Sequence, residues 1–113
     1  MTTVNYTKQQ LFDIVAESRT QAHEAAVNHI AKHGEDWYCG FAWINILGVK
    51  GNTKLGKMLK EVGVKQDYTK TFQIWNPSGH NTQSMLVKEA GAEAAAQVFR
   101  KYGFNACTGS RAD

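Results

Sequence analysis

Proline occurs once in this chain of 113 residues, at Pro77, and cysteine twice, at Cys39 and Cys107. With so little proline, helices can run uninterrupted, and no proline-rich linker divides the chain. Two cysteines do not make a disulfide framework. Both fall in strand-like runs, where reduced, buried thiols in a cytoplasm are expected. Long apolar runs are missing too: the longest uncharged one, Cys39 to Val49, is too short to span a bilayer, so no membrane partner is expected. The opening MTTVNYTKQQ lacks a basic segment followed by an apolar core, so no secretory signal is read there. An excess of one charge is also absent. A net charge of +3 permits contact with phosphate without demanding it, because nucleic-acid binders usually concentrate more Lys and Arg. No repeat or low-complexity tract appears, and residues 1–113 read as one domain with a core of its own.

The first helix is signposted at both ends. Thr7 and Gln10 form a T-x-x-Q capping box, apolar and small residues from Leu11 to Ile30 recur at three- and four-residue steps, and Gly34 supplies a stop. Residues 37–47 read as a strand with Trp37, Cys39, Phe41 and Trp43 on one face and Tyr38, Gly40, Ala42, Ile44 and Ile46 on the other. Both faces are apolar, which predicts a central strand covered twice. A short helix follows GVKGNTK, with Leu55, Met58, Leu59 and Val62 inward and Lys57 and Lys60 outward, ended by Gly63. A second strand spans 70–75, a third helix 86–102 and a last short strand 104–109. The fold class is therefore α/β: an N-terminal helix, then strand–helix–strand–helix–strand, with helices packed on a sheet of three to four strands. Alternating strands and helices suggest a largely parallel sheet. Short strands and long loops keep open an α+β arrangement with a mixed or antiparallel sheet.

The stretch CGFAWINI (39–46) comes close to the aromatic strand of RNA-recognition motifs, whose alternate rings each take an unpaired base. Phe41 and Trp43 would be the platform. Cys39 stands where that signature has a basic residue and Ile46 where it has its last aromatic, and residues 1–6 are too few to supply a strand upstream. Burial of the aromatic face, by a helix or by a second copy in a homodimer, is the preferred reading, because monomers rarely expose large apolar patches.

Candidate ligand-binding residues cluster in three loops that a parallel sheet would gather at one edge. They are Asn52, Thr53 and Lys54 in the first loop, Trp75, Asn76, Ser78 and His80 in the second, and Ser110 and Arg111 in the third. Lys54 and Arg111 would neutralise an anion, the amides and hydroxyls would add directional hydrogen bonds, and Trp75 would offer a ring for stacking. GVKGNTK opens a helix, where free amides favour an anion, although Asn52 or Thr53 equally well caps that helix. It is not a Walker loop, which needs G-x-x-x-x-G-K-S/T. His29 and His33 stand one turn apart, but no third metal ligand is near them in sequence, so no metal or cofactor is assigned. A thiol of Cys39 or Cys107 with His80 could form a nucleophile pair, blunted if the thiols are buried. Paired carboxylates and a serine elbow are missing, so no catalytic residue is assigned and a non-enzymatic role is favoured.

The set CGFAW (39–43), GNTK (51–54), WNPSGH (75–80), KEAGA (88–92) and GSRAD (109–113) resembles a family of small proteins of tailed bacteriophages. In that pattern a larger apolar residue stands where this chain has Ala112. No function carries over. The resemblance implies a phage product in the bacterial host cytoplasm, acting in host takeover or against host defence. Three functions follow in order of preference. The first is non-catalytic binding of an anionic, nucleotide-like small molecule at the loop edge. The second is docking of a host protein on the aromatic strand face, and the third is binding of single-stranded nucleic acid.

Overall fold

The computed structural model describes residues 5–80, 82 and 84–112. Among these the elements are α1 (Lys8–His33), β1 (Gly40–Leu47), α2 (Lys54–Glu61), β2 (Lys65–Gln66), β3 (Phe72–Trp75), α3 (Met85–Lys101) and β4 (Asn105–Ala112). Local chemistry explains where the helices begin and end. The Thr7 hydroxyl accepts from the Gln10 amide at 3.1 Å while the Gln10 side chain accepts from the Thr7 amide at 2.9 Å, closing the capping box of α1. Thr53 and Ser84 cap α2 and α3 in the simpler way, each hydroxyl taking an amide three residues on. The chain leaves each helix through a glycine at positive φ: Gly34, Gly63 and Gly103.

The strands form one antiparallel sheet in the order β2-β3-β1-β4. After α1, the element sequence β-α-β-β-α-β in this spatial order is the split β-α-β, or ferredoxin-like, arrangement. The fold is therefore α/β as expected, with the antiparallel alternative in place of the parallel sheet. The cause is a short hairpin. In the turn between β2 and β3 one Asp67 carboxylate oxygen accepts from the amides of Thr69 and Thr71, at 2.9 and 3.0 Å. Lys70, at φ 69°, closes the turn by donating to the Asp67 carbonyl. The returning strand β3 slots between β1 and β2, so the crossover through α2 joins strands that are not neighbours. A β-α-β alternation in sequence does not encode that insertion.

The even-numbered face of β1 is the buried one. Ala42, Ile44 and Ile46, each at most 1% exposed, join Phe72 and Ile74 of β3 and Ala106 of β4. Opposite them lie Leu11, Ile14 and Val15 of α1, Leu59 of α2, and Ala92, Ala95, Ala96 and Phe99 of α3. The alanine stripes on α1 and α3 let the two helices sit close to each other and to the sheet. Burying an aliphatic side chain such as Ile44 contributes roughly 1.5–3 kcal/mol. All the helices that join this core lie on one side of the sheet. β1 is central, but among the described residues it is covered once and not twice, and no helix described crosses its aromatic face.

Candidate functional site

Cross-strand partners in a sheet share a face, so the register defines what the uncovered side presents. Trp43 lies opposite Trp75 of β3 and Gly109 of β4, Phe41 opposite Arg111, and Asn45 opposite Gln73 and Cys107. The two central strands thus bring Phe41, Trp43 and Trp75 together. The indoles of Trp43 and Trp75 stack with centroids 4.5 Å apart and planes 19° from parallel, and Phe41 lies 6.0 Å from Trp75. Trp43 fits only because its neighbour is glycine: a methyl on Gly109 would stand 2.5 Å from ring atoms Cε2 and Nε1. With one side over Gly109 and the other under Trp75, Trp43 serves as a support. Trp75, 47% exposed, is the ring offered to solvent.

A row of amides fixes that ring. Trp75 Nε1 donates to Gln73 Oε1 at 2.9 Å, Gln73 Nε2 donates to Asn45 Oδ1 at 2.8 Å, and Asn45 Nδ2 reaches Cys107 Sγ at 3.8 Å. The row crosses β3, β1 and β4 and sets the rotation of the indole.

Cations border the rings at both ends. The Arg111 guanidinium lies 5.6 Å from the Phe41 centroid, and Lys88 Nζ lies 5.1 Å from it. Lys88, only 8% exposed, donates to the Gly40 carbonyl at 2.9 Å, so its ammonium is compensated by a carbonyl and a ring face. On the other side Trp75 borders a concavity of about 510 Å³ that Arg19 of α1 and Lys65 of β2 also line. Asp67 lies there too. Hydrogen bonds from the Thr69 side chain and from the amides of Thr69 and Thr71 hold its carboxyl below the usual carboxylate range.

The antiparallel order changes what the nine sequence-predicted residues can do together. The loop after β1 lies at one end of the sheet and the loop after β3, which starts beside Ala42, at the other, separated along β1 by about 17 Å for five steps of 3.3 Å. Ser110 and Arg111 are in β4 itself, paired with Ala42 and Phe41. The premise of a shared loop edge is therefore corrected: Asn52, Thr53 and Lys54 do not meet the other six. Of those six, Trp75 and Arg111 stand on the open face. Asn76, Ser78 and His80 are tied to one another. Ser78 Oγ bonds Asn76 Oδ1 at 3.2 Å, the His80 amide donates to Ser78 Oγ at 3.1 Å, and Asn76 Nδ2 reaches the His80 carbonyl. This turn seats its buried Pro77 and Ser78 against Gly91 of α3, where a methyl would stand 2.9 Å from the Ser78 Cβ. Ser110 donates to Glu89 at 2.7 Å. Asp113, the last residue of the GSRAD stretch, lies outside the described residues.

At the far end Thr53 is the helix cap, its hydroxyl taking the Gly56 amide at 3.1 Å, so that amide of α2 is not left for an anion. Asn52 lines a second concavity there. The cysteines are half-buried rather than buried: Cys39 donates to the Trp37 carbonyl, Cys107 takes Asn45, and His80 lies 6.0 Å from His23. Among the described residues no group of three or more His, Cys, Asp or Glu could hold a metal, and no helix is long and apolar enough to cross a membrane.

Sequence reasoning missed three features. β2 is two residues long inside a polar stretch, and the amide row depends on register. The open face depends on which side the crossovers return. The alternation in β1 did carry the signal for Phe41 and Trp43, but it named no covered side. Comparison with protein-family models, with curated proteins and with solved structures found no match.

Proposed function

We propose that the protein binds single-stranded nucleic acid across the open face of its sheet, with a base stacked on Trp75 and phosphates held by the cations that border the rings. The observation that supports this most is the uncovered aromatic cluster of β1 and β3, flanked by the exposed Arg111 at one end and by Lys65 and Arg19 at the other. Stacking platforms combined with a positive border are the general means of holding unpaired strands without sequence preference. The lack of an upstream strand is no obstacle here, because β1 itself is the first strand of the split β-α-β unit and needs none before it. A resemblance to small tailed-phage proteins would place this activity in the cytoplasm of an infected bacterium.

The test is fluorescence anisotropy with a labelled single-stranded oligonucleotide over a range of salt. Trp75→Ala removes the exposed ring and is expected to cost roughly 1–3 kcal/mol of binding. Arg111→Gln is expected to lower the salt slope by about one. An absence of saturable binding at low salt, or an unchanged affinity of Trp75→Ala, refutes the reading.

The same exposed ring favours one further reading, in which the face closes against a second copy or a host protein. A homodimer by sedimentation that Trp75→Ala converts to monomer, with no oligonucleotide bound, would establish that reading instead.

A further inference from the structure

We infer a second binding site, for a chain of two or three phosphates, in the lysine-lined basin at the opposite end of the sheet. The inference is independent of the nucleic-acid reading and rests on different residues. The basin, of about 860 Å³, lies between the loop after β1, the outer face of α2 and the β2–β3 turn. Lys50, Lys57, Lys60 and Lys70 line it, and none of its lining residues among those described carries a carboxylate. That volume is within the range of small-molecule sites.

The two acids nearest in sequence are engaged elsewhere. Glu61 pairs with Lys8 at 3.1 Å, and the Asp67 carboxylate is occupied by Thr69 and Thr71. Among the described residues the remaining ion pairs are Arg100–Glu93 and Lys101–Glu17. The four basin lysines therefore keep uncompensated charge on one concave surface.

The backbone that carries them is held in place. The Lys50 carbonyl accepts from the Thr53 hydroxyl at 2.6 Å and the Thr53 amide at 3.2 Å, and it presses so close to α2 that a methyl on Gly56 would fall on it. Lys60 Nζ reaches the Gly51 carbonyl at 3.3 Å, and Gln66 Nε2 donates to the Lys70 carbonyl at 2.9 Å. Loop, helix and turn are thus tied into a single concave wall. A lone carboxylate could satisfy one or two ammonium groups, whereas a phosphate chain brings several charges and many acceptor oxygens. Lysine meets such a ligand as a compact point charge with three donors.

Titration with inorganic tripolyphosphate, followed by amide chemical shifts, tests the site. The expected result is saturable shifts concentrated in 48–60 and 66–70. Lys57→Gln with Lys60→Gln should weaken binding roughly tenfold or more, while Lys32→Gln with Arg111→Gln, equal in lost charge but away from the basin and from Glu61, should not. Trp75→Ala, which tests the open face, should leave tripolyphosphate binding intact. A second arm with ATP tells whether a nucleotide or the phosphates alone are recognised, tighter ATP binding marking a nucleotide and equal binding the phosphates. A titration that does not saturate overturns the inference. So do equal losses in the two double variants, or loss of binding in Trp75→Ala. All these lysines are at the surface, and unchanged melting temperatures of the variants would confirm an intact fold.

Discussion

Gly109→Ala is the substitution whose sign depends most directly on the arrangement of the open face. Gly109 has ordinary strand geometry in β4, so a methyl meets no backbone strain. In an open strand position the change would stabilise the protein by about 0.4–1 kcal/mol, because alanine restricts the unfolded chain. Here the new Cβ would stand 2.5 Å from Cε2 and Nε1 of Trp43 and 2.7 Å from Cζ2. The indole cannot swing aside cheaply, since its other face carries Trp75, whose own rotation is fixed through Gln73 and Asn45. Overpacking of this kind costs about 1–3 kcal/mol. The melting temperature should then fall by roughly 4–12 °C, at about 4 °C per kcal/mol for a domain of this size.

Thermal unfolding measures the fall, and circular dichroism reads its cause through the exciton signal of the stacked indole pair. The decisive form is a double-mutant cycle with Trp43→Leu. Without the indole, alanine at position 109 should cost nothing or stabilise, giving a coupling of about 1–3 kcal/mol. A stabilised single variant, or an equal penalty in the Trp43→Leu background, would refute the packing argument.

Two further outcomes follow from the same coordinates. Gly56→Ala lies in the first turn of α2, where alanine is still the better helix former, by up to about 1 kcal/mol. Because its methyl would meet the Lys50 carbonyl, it should instead destabilise by about 1–3 kcal/mol in a denaturant melt and loosen the phosphate basin with it. Glu17 accepts from the Lys101 ammonium and, at 2.6 Å, from the Tyr102 hydroxyl, and these bonds hold its carboxyl below the usual glutamate range. A depressed carboxyl contributes its stability in full above the unfolded value of about 4.5, and that contribution is lost as pH falls through the lower folded value. Acid melts should therefore show a steeper fall below that point in the parent than in Glu17→Gln, and parallel curves would exclude the Glu17 clamp.

The local elements were readable because their causes are local. The Thr7–Gln10 box, the stopping glycines at 34, 63 and 103, and the apolar spacing of α1 and α3 predict helices within a residue or two of those observed. The apolar alternation of β1 marked it as a central strand. The extent of β4 was harder. The expected strand stops at Gly109, and Ser110 and Arg111, of low strand preference, read as loop, yet pairing with Ala42 and Phe41 carries the strand to Ala112. A short hairpin turn at Asp67 hid β2 in the same way.

The candidate site was legible only in part. Phe41, Trp43, Trp75 and Arg111 stood out as residue types, but nothing near them in sequence told that they meet. Asn76, Ser78 and Ser110 looked like ligands because the groups that build a turn or bind a helix carboxylate are the same groups that bind small molecules. The sequence by itself determined the helices, the central strand and the apolar face that must be buried, since each depends on neighbours within a few residues. Tertiary structure alone decided the antiparallel order, the side left open, the stacking of Trp75 on Trp43 and the gathering of four lysines. Those depend on hydrogen bonds and packing between segments tens of residues apart, where the chain offers several pairings and only the whole core selects one.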